Sequence, residues 1–255
     1  MDFSRGKQQP AYYLVVVWLV VLAVMNGAGM LFEKFGLSIN VSVLLEEITV
    51  LLVLWLLNHY WLKVRIQLRT NQSFGAQVRV NGFSLFLVVF FLSILETQLA
   101  HGKSVNHVAV MTAMALLVAI FEESLFRGVI LVGFLQRVGR GNAVWLAVLL
   151  SSALFAASHL INLSHQSVSM TIAQVLMTFG LGLLQSATYL RSGSLIWPIL
   201  FHFVLDTQAL VRGGLMPKQN IPAWSGLIPL VIYGTVALIL LRQSKRAEVV
   251  ARFKN

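Results

Sequence analysis

The chain contains no cysteine, which excludes disulfides, thiolate nucleophiles and cysteine-ligated zinc together. Charge is scarce as well. Only 11% of the 255 residues are Asp, Glu, Lys or Arg, whereas soluble domains carry about 25%. No HExxH, no GxSxG and no phosphate-cradling glycine loop is present, and there is no internal repeat or low-complexity stretch. What remains is strongly apolar, 58% hydrophobic with a mean hydropathy of +0.80, and leaves no room for a sizeable soluble domain. Residues 1–255 therefore read as a single integral membrane domain.

Eight apolar stretches approach the roughly 20 residues that a membrane-crossing helix needs. They lie near 11–32, 41–62, 83–100, 107–136, 143–161, 168–190, 194–211 and 224–242. The runs are continuous rather than alternating, so the expected class is all-α, a polytopic helix bundle of about eight spans, and not a barrel. The first run is too long for a removed signal peptide and is read as a retained span. When Lys and Arg are assigned to alternating sides of these spans, fourteen fall on one side and four on the other, with Arg127 left inside the membrane. The positive-inside rule then places both termini in the cytoplasm. The net charge of +10 follows this topology and is no nucleic-acid signature. The basic segment from Lys63 to Gly82 reads equally as a plain cytoplasmic loop or as an interfacial segment on anionic lipid. Residues 243–255 read as a polar, frayed cytoplasmic tail.

Only nine acidic residues exist, so each one inside a span can be weighed singly. Residues 121–128 read Phe-Glu-Glu-Ser-Leu-Phe-Arg-Gly. Each charge there costs roughly 2.5–3.5 kcal/mol near a helix centre and is retained when it pairs, faces water or does chemistry. Glu123 and Arg127 are four apart and share a helix face, whereas Glu122 is rotated by about 100°. The spacing predicts that Arg127 neutralises and orients Glu123 and leaves Glu122 for water or a ligand. Phe155 and His159 stand one turn apart on the fifth span, and His202 and Asp206 one turn apart on the seventh. A lone histidine on an apolar helix is more often a satisfied core residue than a ligand. Two histidines, an aspartate and a Glu-Glu-Arg cluster on three helices predict a shared interior cavity. Glu46 and Glu47, near the start of the second span, suggest a headgroup-level or interhelical role. Glu96 and His59, beside Tyr60 and Trp61, look interfacial, His101 and His107 flank an outer loop, and His165 could line a chamber mouth.

Together these segments resemble the intramembrane CAAX-protease and bacteriocin-processing (Abi) family, which includes the type II CAAX prenyl endopeptidases. Glu-Glu-x-x-x-Arg matches Glu122, Glu123 and Arg127, Phe-x-x-x-His matches Phe155 and His159, and His-x-x-x-Asn/Asp matches His202 and Asp206. The resemblance covers residues 107–211, the expected catalytic core, and Asp206 in place of asparagine leans toward the bacterial branch. It implies hydrolysis of peptide bonds in a membrane-associated peptide or protein, with a bacterial inner membrane as the expected location. The expected partners are this substrate and membrane lipids, with oligomeric state left open.

Water attack on an amide needs a base, a group that holds the water and donors for the oxyanion. Glu122 is the expected base, His159 the water holder, and His202 supported by Asp206 the oxyanion stabiliser, with Glu123, Arg127 and Phe155 orienting them. The same residues work as a metal-free glutamate–histidine pair. A zinc ion on His159, His202 and Glu122 is equally compatible with the residue types. Two other classes fit the same residues: a proton-coupled transporter, and a bacteriocin immunity or regulatory protein that binds without cleaving. One feature of the pattern conflicts with convergence. His159 falls near the far end of its span and His202 near the beginning of its own, although both spans run in the same direction.

Overall fold

The computed structural model describes residues 10–100, 102–137, 143–215 and 221–253. His101 lies outside them. Among the described residues the secondary structure is entirely helical. Helices α1 (Tyr12–Lys34) and α2 (Ile39–Leu57, extended by a wide turn to Leu62) form an antiparallel pair. Next come α3 (Phe74–Val80) and α4 (Gly82–Ala100), set at 74° to one another. Helix α5 (Val105–Glu123) runs through a widened stretch, Ser124–Leu131, into α6 (Val132–Arg137). It is followed by α7 (Ala143–Ser158, ending in a tight turn, His159–Ser164), α8 (Val168–Ser192), α9 (Ile196–Gly213), α10 (Leu227–Leu240) and α11 (Gln243–Phe253).

Among the described residues six helical segments are long and apolar enough to cross a membrane, and seven if the bent α3–α4 pair counts as one span. This differs from the expected eight at two places. The stretch expected at 83–100 qualifies only together with α3, and α9, expected as the seventh span, does not qualify. His202, Asp206 and Arg212 lower its hydropathy. Yet α9 still runs from one end of the bundle to the other. Leu195 at its start donates its N–H to Gln67 O beyond the end of α2 (3.0 Å), and His107 at the start of α5 meets Val211 O near its end (3.2 Å).

Helix α8 is the axis of the molecule. It packs against α7 on one side and α10 on the other, while α9 lies against α5 and α4. Glycines on α8 permit this approach. A Cβ on Gly180 would stand 2.6 Å from Leu230 Cα of α10, and one on Gly182 would stand 2.8 Å from Ser152 Cβ of α7. Such backbone-close packing is how helices gain dispersion contact where lipid offers no hydrophobic drive.

Two expectations at the basic end are corrected. The segment 63–73 is no plain loop but a cover folded onto the bundle. Asn58 accepts from Val64 N–H and donates to Val64 O, both at 3.0 Å, which holds the turn where Lys63 adopts a left-handed backbone (φ 54°). Val64 is buried; Gln67 N–H donates to Tyr189 Oη (3.1 Å), and Ser194 Oγ donates to Leu68 O (2.8 Å). Nor is the C-terminal stretch frayed. Helix α11 inserts Val249 and Phe253, and Arg252 donates to Leu190 O and Arg191 O at the end of α8.

Candidate active site

The site begins with the widened stretch that follows Glu123. A helix that opens to a wider turn frees carbonyls, and such interruptions concentrate at functional positions. Ser151 Oγ on α7 donates to Phe126 O (2.7 Å), which ties this stretch to its neighbour. Within it Arg127 is wholly buried, and its Nη1 pairs with Glu123 Oε1 at 2.9 Å, as the spacing predicted. The guanidinium carbon also stands 4.4 Å from the centroid of the Phe155 ring, an arrangement in which the aromatic face stabilises the cation.

Glu123 does more than hold Arg127. Its Oε1 also lies 2.8 Å from His202 Nδ1, so one carboxylate oxygen joins α5 to α9. An ionised carboxylate only accepts, so the ring donates through Nδ1–H. This leaves His202 Nε2 facing two further carboxyl groups, Asp206 Oδ2 at 3.3 Å and Glu122 Oε2 at 3.5 Å. A proton in the triangle of Glu122, His202 and Asp206, as an N–H of His202 or an O–H of a carboxyl, would relieve the repulsion between these groups. The expected link between His202 and Asp206 is present. The stronger link, to Glu123, was invisible in the sequence, where the two residues are 79 apart.

His159 stands where α7 gives way to its terminal turn. Its Nδ1 lies 3.0 Å from Phe155 O. A carbonyl only accepts, so Nδ1 carries the hydrogen and Nε2 is left as an acceptor. Phe155 touches both histidines edge-on, with ring centroids 5.2 Å from His159 and 6.0 Å from His202. The positions of the two histidines along their helices therefore do not keep them apart. Both rings reach Phe155 even though α9 begins at the covered end of the bundle, with Ser192 and Leu195 buried beneath the 63–73 cover.

Glu122, Phe155, His159, His202 and Asp206 line one cavity of about 530 Å³, within the usual size range of ligand pockets. Its walls are largely apolar, with Phe91, Met114, Val118, Met177 and Leu205, and its mouth is polar, with Asn162, His165, Gln166, Gln208 and Arg212. His165 is among the residues that line the cavity. His107 does not reach the cavity lining; it meets the backbone of α9.

The residues do not fit a metal. Among the described residues no three His, Asp or Glu side chains are grouped so as to hold one. At His202, Nδ1 is committed to Glu123 and Nε2 faces the carboxyl oxygens of Asp206 and Glu122. The expected set of His159, His202 and Glu122 is corrected accordingly.

Glu47, expected at headgroup level or between helices, is buried on α2, and its Oε2 has no hydrogen-bond partner. It lies within electrostatic reach of Glu122 and Asp206. The available signal was an acidic residue inside a span with no cation one turn away.

Comparison with known proteins falls on this same part of the chain. Residues 104–208 match the family model described as type II CAAX prenyl endopeptidase Rce1-like. The resemblance read from the three motifs is thus borne out over the stretch that carries them. A protein of Escherichia coli described as an uncharacterized 24.3 kDa protein is 34% identical over 118 residues, 46% of this chain and 50% of that one. The chain thus matches about half the length of this curated relative. No solved structure matches.

Proposed function

We propose that this chain, similar over residues 104–208 to the Rce1-like CAAX endopeptidases, is an intramembrane endopeptidase that cleaves a membrane-associated peptide or protein. The observation that carries this reading is the convergence of Glu122, His159, His202 and Asp206, from α5, the end of α7 and α9, on one cavity.

Peptide-bond hydrolysis follows from the roles these groups can take. A water in the cavity gives a proton to Glu122 as general base, while its second hydrogen is directed to the free Nε2 of His159. Its oxygen attacks the scissile carbonyl carbon. The developing oxyanion is met by the proton held between His202 Nε2 and Asp206, a donor fixed in place by Glu123 on the far side of the ring. As the intermediate collapses the C–N bond breaks, and the proton carried by Glu122 passes to the leaving amine. Glu123 and Arg127 hold no substrate; they fix the imidazole and the helix that bears Glu122.

The apolar walls suit a substrate that is hydrophobic near the cut. The test is purified protein in lipid nanodiscs with a peptide library read by mass spectrometry. Cleavage by the wild type that disappears in Glu122→Gln supports the endopeptidase. Absence of cleavage by a folded wild type across the library would instead favour a binding protein built on the same frame.

A further inference from the structure

We infer that the cavity opens on the membrane face opposite the basic one, so that its substrates are peptide segments presented from the extracytoplasmic side. The substrate half of this inference rests on the endopeptidase reading; the direction of opening does not.

Three independent observations support it. The first is where the lining residues fall along the helices. Val43 lies near the start of α2, Met114 and Val118 in the first half of the α5–α6 span, and Gln174 and Met177 near the start of α8. Asn162 and Gln166 follow the end of α7, and Gln208 and Arg212 belong to the last turns of α9. Because consecutive helices alternate in direction, all of these gather at one end of the bundle. It is the end that holds the α1–α2, α4–α5 and α7–α8 connections.

The second observation is that the other end is sealed. The 63–73 cover is hydrogen-bonded to Tyr189, Ser194 and Leu195, and α11 lies over the end of α8 through Arg252, Val249 and Phe253. Gln67 Nε2 donates to Arg252 O (3.2 Å), which joins the two parts of the seal.

The third is charge. The sealed end carries Lys63, Arg65, Arg69 and Arg191, then Arg242 just before α11 and Lys245 and Arg246 on it. The open end has Lys34, Lys103 and Arg212 among its described residues. The positive-inside bias therefore orients the seal to the cytoplasm and the mouth to the outside. At that mouth the exposed Arg212 supplies a cation for a carboxylate on the peptide.

The absence of native cysteine makes the test direct, since each introduced cysteine is a unique probe. Gln166→Cys and Ala209→Cys at the mouth, and Ser244→Cys at the sealed end, are expressed in bacterial cells and treated with a membrane-impermeant sulfonated maleimide. The two mouth cysteines are expected to label in intact spheroplasts, and Ser244→Cys only after permeabilisation. The reverse pattern would overturn the inference, as would mouth cysteines that label from neither side. A quenched apolar peptide supplied to vesicles of the wild-type protein is expected to be cut by right-side-out and not by inside-out preparations. Cutting by inside-out vesicles alone would overturn the substrate assignment. No cutting by either, with the mouth labelled from outside, would sink the endopeptidase reading and uphold the direction of opening.

Discussion

Glu122 and Glu123 are adjacent in sequence but differ in environment, and the difference sets what each substitution should do. Glu123 has no exposed side-chain surface and accepts from both Arg127 and His202. Removing one partner of a buried pair leaves the other charge uncompensated, a loss of about 3–5 kcal/mol. Arg127→Ala should therefore lower both the yield and the thermal midpoint of the purified protein. The Glu122 side chain retains 19% exposure toward the cavity and stands farther from His202, so Glu122→Gln should fold at normal yield. Its cleavage rate should fall by roughly 10²–10⁴-fold, the usual contribution of a general base. Equal loss of yield in both variants would refute the division of labour. Glu47→Gln probes a subtler effect. It removes a buried carboxyl within reach of Glu122 and Asp206, and should shift the pH–rate profile of cleavage without changing yield. An unchanged profile would take Glu47 out of the site. The sequence made the Glu123–Arg127 pair legible because helical periodicity alone brings residues four apart together. It could not reveal the His202–Glu123 bond or the burial of Glu47, since both depend on how separate helices are rotated against one another.

Elements behave differently at the two ends of the bundle. Helix positions were legible because long apolar runs have few alternative folds in a membrane. The cover and α11 were not, since a basic stretch with scattered apolar residues has the same composition whether it lies on lipid or on protein. What decides is a handful of specific contacts: Asn58 holding the turn at Lys63, Gln67 bridging Tyr189 and Arg252, and Phe253 edge-on to Tyr189 with centroids 5.2 Å apart. A frayed tail would tolerate any change at Phe253. A docked helix would not, because truncating a buried phenylalanine costs about 3–5 kcal/mol in a packed core. Phe253→Ala should lower the thermal midpoint and speed proteolysis of α11, while leaving the KM for a peptide substrate unchanged, since the residue lies at the end remote from the mouth. Wild-type stability in this variant would mean that α11 is not docked.

For the whole molecule, the informative element is α9, which fails the apolar test for a span yet connects the two ends. Helix α8 ends beneath the cover, and α10 begins beside the start of α8, where Ser169 Oγ donates to Ile221 O (3.0 Å). The chain between them must therefore traverse the bundle, and the 18 residues of α9 provide about 27 Å at 1.5 Å per residue. Its polar residues are tolerable only because neighbouring helices receive them: His202 meets Glu123 of α5, and Val211 O meets His107. Isolated in lipid, the same helix would expose His202, Asp206 and Arg212, with a cost of roughly 2.5–3.5 kcal/mol for each charge near its centre. Two outcomes should then differ. Placed alone between reporter domains in a membrane-insertion assay, residues 196–213 should fail to span. Within the full chain, single cysteines replacing Asn71 and Trp224 should label from opposite sides, with Ser244→Cys labelling from the side of Asn71→Cys. Labelling of all three from one side would mean that α9 does not cross, and the eight-traverse topology would fall with it.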